Sequence, residues 1–179
     1  MRMQRWPGLI SVAFLVGMTL LVGLPVQAEK ADREKPTTID SDTLSHDEAR
    51  QITIFTGQVV LTRGTLVMRG DRMEMWQDAA GNYYGTMTGQ PARFRQKRDG
   101  VNEFMEGESQ RLDYDGKREV VTLTQNAIMR RLEGDVMKDQ VSGDKLTYNN
   151  ITERYLVESG QGQARSRMFL MPKSEPGKR

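Results

Sequence analysis

The residues of this chain that could carry chemistry are few, and their spacing does not suit it. His46 is the one histidine and lies in a polar stretch, so a zinc centre built on a histidine cluster is out of reach. The absence of cysteine removes thiolate nucleophiles, thiolate metal ligands and disulfide stapling together. Two carboxylate pairs, Asp113/Asp115 and Glu106/Glu108, have the residue types of a glycosidase. Asp115-Gly116 reads better as a turn, however, and Glu106-Gly107-Glu108 as the solvent face of a strand. The Gly-x-x-x-x-Gly-Lys-Ser/Thr pattern of a phosphate-binding loop is missing, so hydrolysis of a nucleotide cannot drive whatever this chain does. The reading is of a non-enzymatic protein without cofactor or metal.

The elements that remain are strands. Short alternating apolar runs break at a small residue followed by a polar one, then resume. Ile52 to Leu61 breaks at Gly57-Gln58, Leu66 to Met75 at Gly70-Asp71, and Val141 to Tyr148 at Gly143-Asp144. Period-two alternation puts every second side chain on one face. Turn signals separate the runs at Arg63-Gly64, Ala79 to Asn82, Arg98 to Gly100, Tyr114 to Gly116, Leu132 to Asp135 and Tyr148 to Asn150. Asp99-Gly100 and Asp115-Gly116 are read as two-residue hairpin turns. Asp42 to Arg50 is read as a strand with a turn. After residue 28 no stretch keeps a helical apolar stripe for three turns. The uneven spacing of Asp42, Asp71 and Asp144 fits an antiparallel sheet folded over on itself better than a solenoid, which needs a fixed period. A jelly roll or sandwich is the natural class.

Arg2 and Arg5, an apolar run from about Leu9 to Leu24, and Val26-Gln27-Ala28 make a secretory signal peptide over residues 1–28, with cleavage expected after Ala28. The run is short for a membrane span. A flexible leader is expected at 29–36, the folded domain at 37–171 and a disordered tail at 172–179. The whole chain has 26 Lys+Arg against 24 Asp+Glu. Loss of Arg2 and Arg5 brings the cations to 24 and balances the charge, so the basic isoelectric point does not point to a nucleic-acid partner.

Several of these motifs resemble the OstA-like domain of the LptA family of periplasmic lipopolysaccharide-transport proteins. They are Thr56-Gly57-Gln58-Val59, Arg69-Gly70-Asp71-Arg72, Gly89-Gln90-Pro91-Ala92-Arg93-Phe94, Val121 to Ala127 and Ser142-Gly143-Asp144-Lys145-Leu146-Thr147-Tyr148. The likeness runs from about Ile39 to Met171. It implies an all-β fold, an open, twisted antiparallel β-jelly roll whose two sheets make a V-shaped section. It also implies that acyl chains of lipid A bind between the sheets. Copies are expected to join end to end, to an inner-membrane-anchored partner and to an outer-membrane translocon, so that lipopolysaccharide crosses the periplasm. A membrane-anchored sister subunit of the same bridge, and a closed β-sandwich adhesion or carbohydrate-binding module, are the alternatives.

Physically, a lipid carrier must hide acyl chains, at roughly 0.8 kcal/mol per CH₂, while letting them advance. Alternation gives Ile39, Ile54, Val59, Leu61, Leu66, Met68, Met73, Met75, Phe94, Leu112, Tyr114, Val121, Leu123, Leu146 and Tyr148 as the groove lining. A one-residue register step would turn a whole strand over. The resemblance places Ile39 and Phe94 at lipid-contacting positions. Arg93 and Arg95 alternate with Phe94 and are candidates for lipid-phosphate contacts, or for edge charge that deters aggregation. The unpaired edges are expected near Thr37 to Leu44 and Ala164 to Met171.

Overall fold

The computed structural model describes Asp32 and residues 35–160 and 165–172. The expected signal peptide, most of the expected leader and the tail beyond Pro172 lie outside the described residues. The strands are β1 (Thr37–Asp40), β2 (Thr43–Asp47), β3 (Ile52–Arg63), β4 (Leu66–Gln77), β5 (Tyr83–Lys97), β6 (Glu103–Asp115), β7 (Val120–Glu133), β8 (Val136–Asn149), β9 (Arg154–Glu158) and β10 (Arg167–Leu170). They form one antiparallel ten-stranded sheet in the order β1-β3-β4-β5-β6-β7-β8-β10, with β2 also beside β3 and β9 also beside β8. The sheet is open, as expected. No helix among the described residues is long and apolar enough to cross a membrane.

One line of bulges turns this single sheet into two layers. The pairing register shifts at Thr56/Val59, Arg69/Arg72, Thr88/Ala92, Glu108/Arg111 and Thr124/Ala127. Each shift lies opposite the next, so the line crosses the sheet from β3 to β8. A bulge bends its strand and increases the local twist, and a row of them creases the sheet. On one side of the crease lie β2, β9 and the segments 52–56, 72–77, 83–88, 111–115, 120–124 and 145–149. On the other lie β1, β10 and the segments 59–63, 66–69, 92–97, 103–108, 127–133 and 136–143. The two layers face each other. Phe94 of the second stacks on Tyr148 of the first, with ring centroids 6.4 Å apart.

The small-plus-polar pairs of the sequence are this crease. Gly57 and Gln58 both have positive φ, as do Gln125 and Asn126. Glycine suits the crease also because the layers close tightly there. A Cβ on Gly70 would stand 2.7 Å from both the Met87 Cγ and the Thr88 carbonyl oxygen. Pro91 sits inside the β5 bulge, where the ladder is interrupted and its missing N–H costs no bond.

The turns sit on the two free margins opposite the crease. Gly64-Thr65 and Gly134-Asp135 are the tight ones, between β3 and β4 and between β7 and β8. The two expected two-residue hairpins are longer: residues 98–102 join β5 to β6, and 116–119 join β6 to β7. Asp115 instead uses its carboxylate to accept a bond from the Arg118 backbone N–H at 2.9 Å, an Asx arrangement that favours a wider loop. Asp32, in the expected leader, accepts a hydrogen bond from the Thr65 backbone N–H at 3.1 Å.

An apolar cleft between the layers

Side chains from both layers build one apolar cluster. Val59, Leu61, Leu66, Met68, Met73, Phe94, Leu112, Tyr114, Val121, Leu123, Leu146 and Tyr148 are buried in it, and Ile39 and Met75 are partly buried against it. Ile54 is the exception and corrects the alternation. Phe55 is the buried neighbour, paired across the ladder with Met73, whereas Ile54 pairs with Glu74 on the other face. The parity of β3 runs unbroken through Phe55, Val59 and Leu61, while β4 changes parity between Met68 and Met73. The bulge between them reconciles the two.

The interior is filled unevenly. Over β5 to β8 the protein's own side chains pack it closed, with Met87, Leu112, Leu123 and Leu146 at 0 % exposure. Towards β1 the packing gives way to a cleft of about 360 Å³. Ile39, Leu61, Leu66, Met73, Met75 and Tyr114 line its walls, and Thr37, Arg63 and Tyr83 stand among its other lining residues. Both layers contribute, Ile39, Leu61 and Leu66 from one and Met73, Met75 and Tyr114 from the other. The volume falls in the range of small-molecule sites. Phe94 is not at the cleft; it is 2 % exposed under Tyr148.

Core residues that alternation overlooked are Met87, Ala92, Met105, Ala127, Met129 and Val141. Each follows or precedes a crease, where period two restarts. Methionines Met68, Met73, Met87, Met105 and Met129 are all buried in the interior. Unbranched thioethers repack at low cost around a changing occupant.

Charged side chains face away from this interior or pair at its rim. Arg93 and Arg95 point away from Phe94, as their positions in β5 dictate. Arg93 reaches Glu108 at 3.4 Å, and Arg95 pairs with Glu106 across the β5–β6 ladder. Burial resists ionisation of Glu108, but hydrogen bonds from Arg130 and Arg93 outweigh it and hold the carboxyl below the usual glutamate value. These cations belong to an outer-face ladder of ion pairs, on the opposite surface from the cleft. At the rim, Arg63 is 3.0 Å from the Glu119 carboxylate and stacks over the Tyr114 ring, 5.3 Å to its centroid. The Tyr114 hydroxyl donates to Glu119 at 3.1 Å. Burial, then the neighbouring Glu119 charge, pushes the Tyr114 hydroxyl up to about 12.

Among the described residues no group of three or more His, Asp or Glu side chains is placed to hold a metal ion. His46 bonds Thr53 and Glu48 on an exposed edge. Asp113 is held by Arg111 and Thr86, and Asp115 by Arg118. What the arrangement offers is containment of an apolar group between two sheets.

A creased, open, two-layer β fold with an apolar cleft and free edge strands is a binding scaffold. The family described as LptA/(LptD N-terminal domain) LPS transport protein matches residues 38–154, and the chain belongs to it. The lipopolysaccharide export system protein LptA of Escherichia coli (strain K12) is 28 % identical over 141 residues, covering 75 % of this chain and 70 % of that protein. LptA of Haemophilus influenzae is 27 % identical over 164 residues, covering 90 % and 91 %. The crystal structure of LptH, the LptA-homologous periplasmic component of the lipopolysaccharide transport device of Pseudomonas aeruginosa, aligns with a TM-score of 0.72 at 23 % identity. It covers 79 % of this chain and 99 % of that one, and shows the shared fold.

Proposed function

We propose that this chain is a periplasmic lipopolysaccharide carrier that shelters lipid A acyl chains between its two layers and hands the lipid from the inner towards the outer membrane. The observation that carries the reading is the apolar cleft lined from both layers by Ile39, Leu61, Leu66, Met73, Met75 and Tyr114. An acyl chain entering it is removed from water against these apolar walls. From the cleft the chain advances over the methionine-rich interior towards Phe94, with the buried thioethers moving aside. Val59, Met68, Leu112, Val121, Leu123, Leu146 and Tyr148 line that deeper path. Export follows the signal segment at residues 1–28, with cleavage after Ala28; amino-terminal sequencing of the exported protein should begin at Glu29.

The partners in this reading are lipopolysaccharide, further copies of the same chain, an inner-membrane-anchored bridge protein and an outer-membrane translocon. The open edges suit such an assembly. β1 and β2 end the sheet on one side, β9 and β10 on the other. An edge that pairs with a different edge propagates instead of closing.

A photoreactive residue at Ile39 tests the central claim, with the same residue at Arg93 on the outer face as control. Crosslinks to lipopolysaccharide are expected at Ile39 and not at Arg93. Equal labelling at both sites, or none at Ile39, would count against an interior lipid site. The cleft is a better first target than Phe94, whose replacement disturbs the core.

A further inference from the structure

Two ion pairs join the free margins of the layers on the side opposite the crease. Arg63, at the β3–β4 turn, meets Glu119, at the β6–β7 turn; their side chains are 13 % and 7 % exposed. Arg98, in the β5–β6 turn, donates from Nε to Glu153, in the β8–β9 turn, at 3.2 Å. A second guanidinium nitrogen also pairs with Glu153, and a third contacts Glu103. Arg63 and Arg98 come from one layer's margin, Glu119 and Glu153 from the other's. The backbone ties the two glutamate turns together, with the Asn150 N–H donating to the Glu119 carbonyl at 2.9 Å.

Among the described residues, no protein group hydrogen-bonds the buried Arg63 Nε, Gln96 Oε1 or amide atoms of Asn150. They surround a cavity of only about 40 Å³, which Met105 and Tyr148 also line. The cavity is polar and large enough for a water molecule, so these atoms can be hydrated with the pairs closed. Acidic groups outnumber basic ones here, with Asp32, Asp99, Glu119 and Glu153 facing Arg63, Lys97 and Arg98, so the seam is no seat for a phosphate. Directly beneath it lies the closed part of the apolar interior, the Tyr148–Phe94 stack.

We propose that the Arg63–Glu119 and Arg98–Glu153 pairs form a latch along the long side of the fold, whose opening lets an apolar chain pass sideways between the layers to the interior behind Tyr148. The crease is the hinge and the turns are the moving margins. Closed, the latch holds the layers over the core. Open, its acidic excess keeps an anionic headgroup outside while the acyl chains enter. This rests on the lipid-carrier reading and adds the route of entry.

The absence of cysteine makes the test direct. Val101→Cys and Thr152→Cys, both at exposed positions in the turns flanking the Arg98–Glu153 pair, are joined by a short bismaleimide in the full chain. The control is the same double variant blocked with N-ethylmaleimide. The probe is hexa-acylated diphosphoryl lipid A, and loading is followed by co-elution. The latch predicts loading about tenfold slower or worse in the bridged protein, as for a lid that cannot open. Glu153→Gln should load faster than wild type. Equal rates in bridged and blocked protein would overturn the latch and leave the carrier reading standing. Failure of both the wild-type and the blocked protein to take up lipid A would overturn both.

Discussion

At the scale of single residues, the rim of the cleft carries the clearest physical signature. Tyr114 is 8 % exposed and lies between an apolar wall and the Glu119 carboxylate. Burial, then the neighbouring Glu119 charge, pushes its hydroxyl up from the ordinary tyrosine value to about 12. A raised folded-state value means that the stabilisation is complete below pH 10 and is lost as pH rises through 12. Two pH units correspond to about 3 kcal/mol at most. Tyr114→Phe should therefore flatten the fall in stability between pH 10 and pH 12, measured by urea unfolding at each pH. At neutral pH the same change should cost about 1–3 kcal/mol through the bond lost to a charged acceptor. A variant that keeps the wild-type alkaline profile would show that another group controls it. Arg63 makes the contrast with an ordinary surface pair. It is held between Glu119 and the Tyr114 ring in a setting with little water, whereas Lys145–Glu158, near half exposed on both sides, is worth about 0–1 kcal/mol.

At the scale of elements, the crease decides what the chain can be. The six longest strands run through it unbroken as single strands, so each serves both layers. Gly70 is where that geometry is tightest. An added Cβ meets the Thr88 carbonyl, which is backbone and cannot swing away, as well as Met87. Gly70→Ala is expected to cost about 1–3 kcal/mol by overpacking, read as a lower denaturation midpoint with little change in slope. Gly100, with nothing within 4 Å of an added Cβ but φ of +67°, provides a comparison in which only backbone strain acts. The sequence made the strands and most of their inward faces legible because period two is a local signal. Leu112, Tyr114, Val121 and Leu123 could be read from their spacing alone. Ile54 could not, because Phe55 beside it is equally apolar and only the partner strand decides which one faces inward. Met87 and Met129 were hidden for a related reason: the alternation restarts across a bulge, and the size of the restart is set by the neighbouring strand's register. The cleft and the ionic seam are contacts between turns and strands far apart in the chain, such as Arg63 with Glu119, and no local pattern encodes them.

At the scale of the whole molecule, the sheet among the described residues ends in β1 and β2 on one side and in β9 and β10 on the other, and those ends differ. One presents β1 and β2, in which Leu44 is 62 % exposed. The other presents β9 and β10, where Leu156, Met168, Phe169 and Leu170 are all more than half exposed. Exposed apolar side chains on an unpaired edge invite another strand, and because the two edges are unlike, a joint between them leaves one of each free and continues. β10 contributes nothing to the central cluster, which is drawn from β3 to β8. Its own pairing is the short run from Arg167↔Ser142 to Leu170↔Asp139. Removing everything from Arg165 onward should therefore leave the monomer folded, with a circular dichroism spectrum and unfolding midpoint close to those of the full chain. The same truncation takes away one of the two strands at this end of the sheet and uncovers residues 139–142 of β8, whose Asp139 is already committed to Arg131 at its own surface. Concentration-dependent assembly, followed by sedimentation velocity, is expected in the full chain and lost in the truncated one. Truncated protein that still grows into long oligomers would place the joint on β9 alone, and truncated protein that fails to fold would make β10 a structural strand instead of an assembly edge.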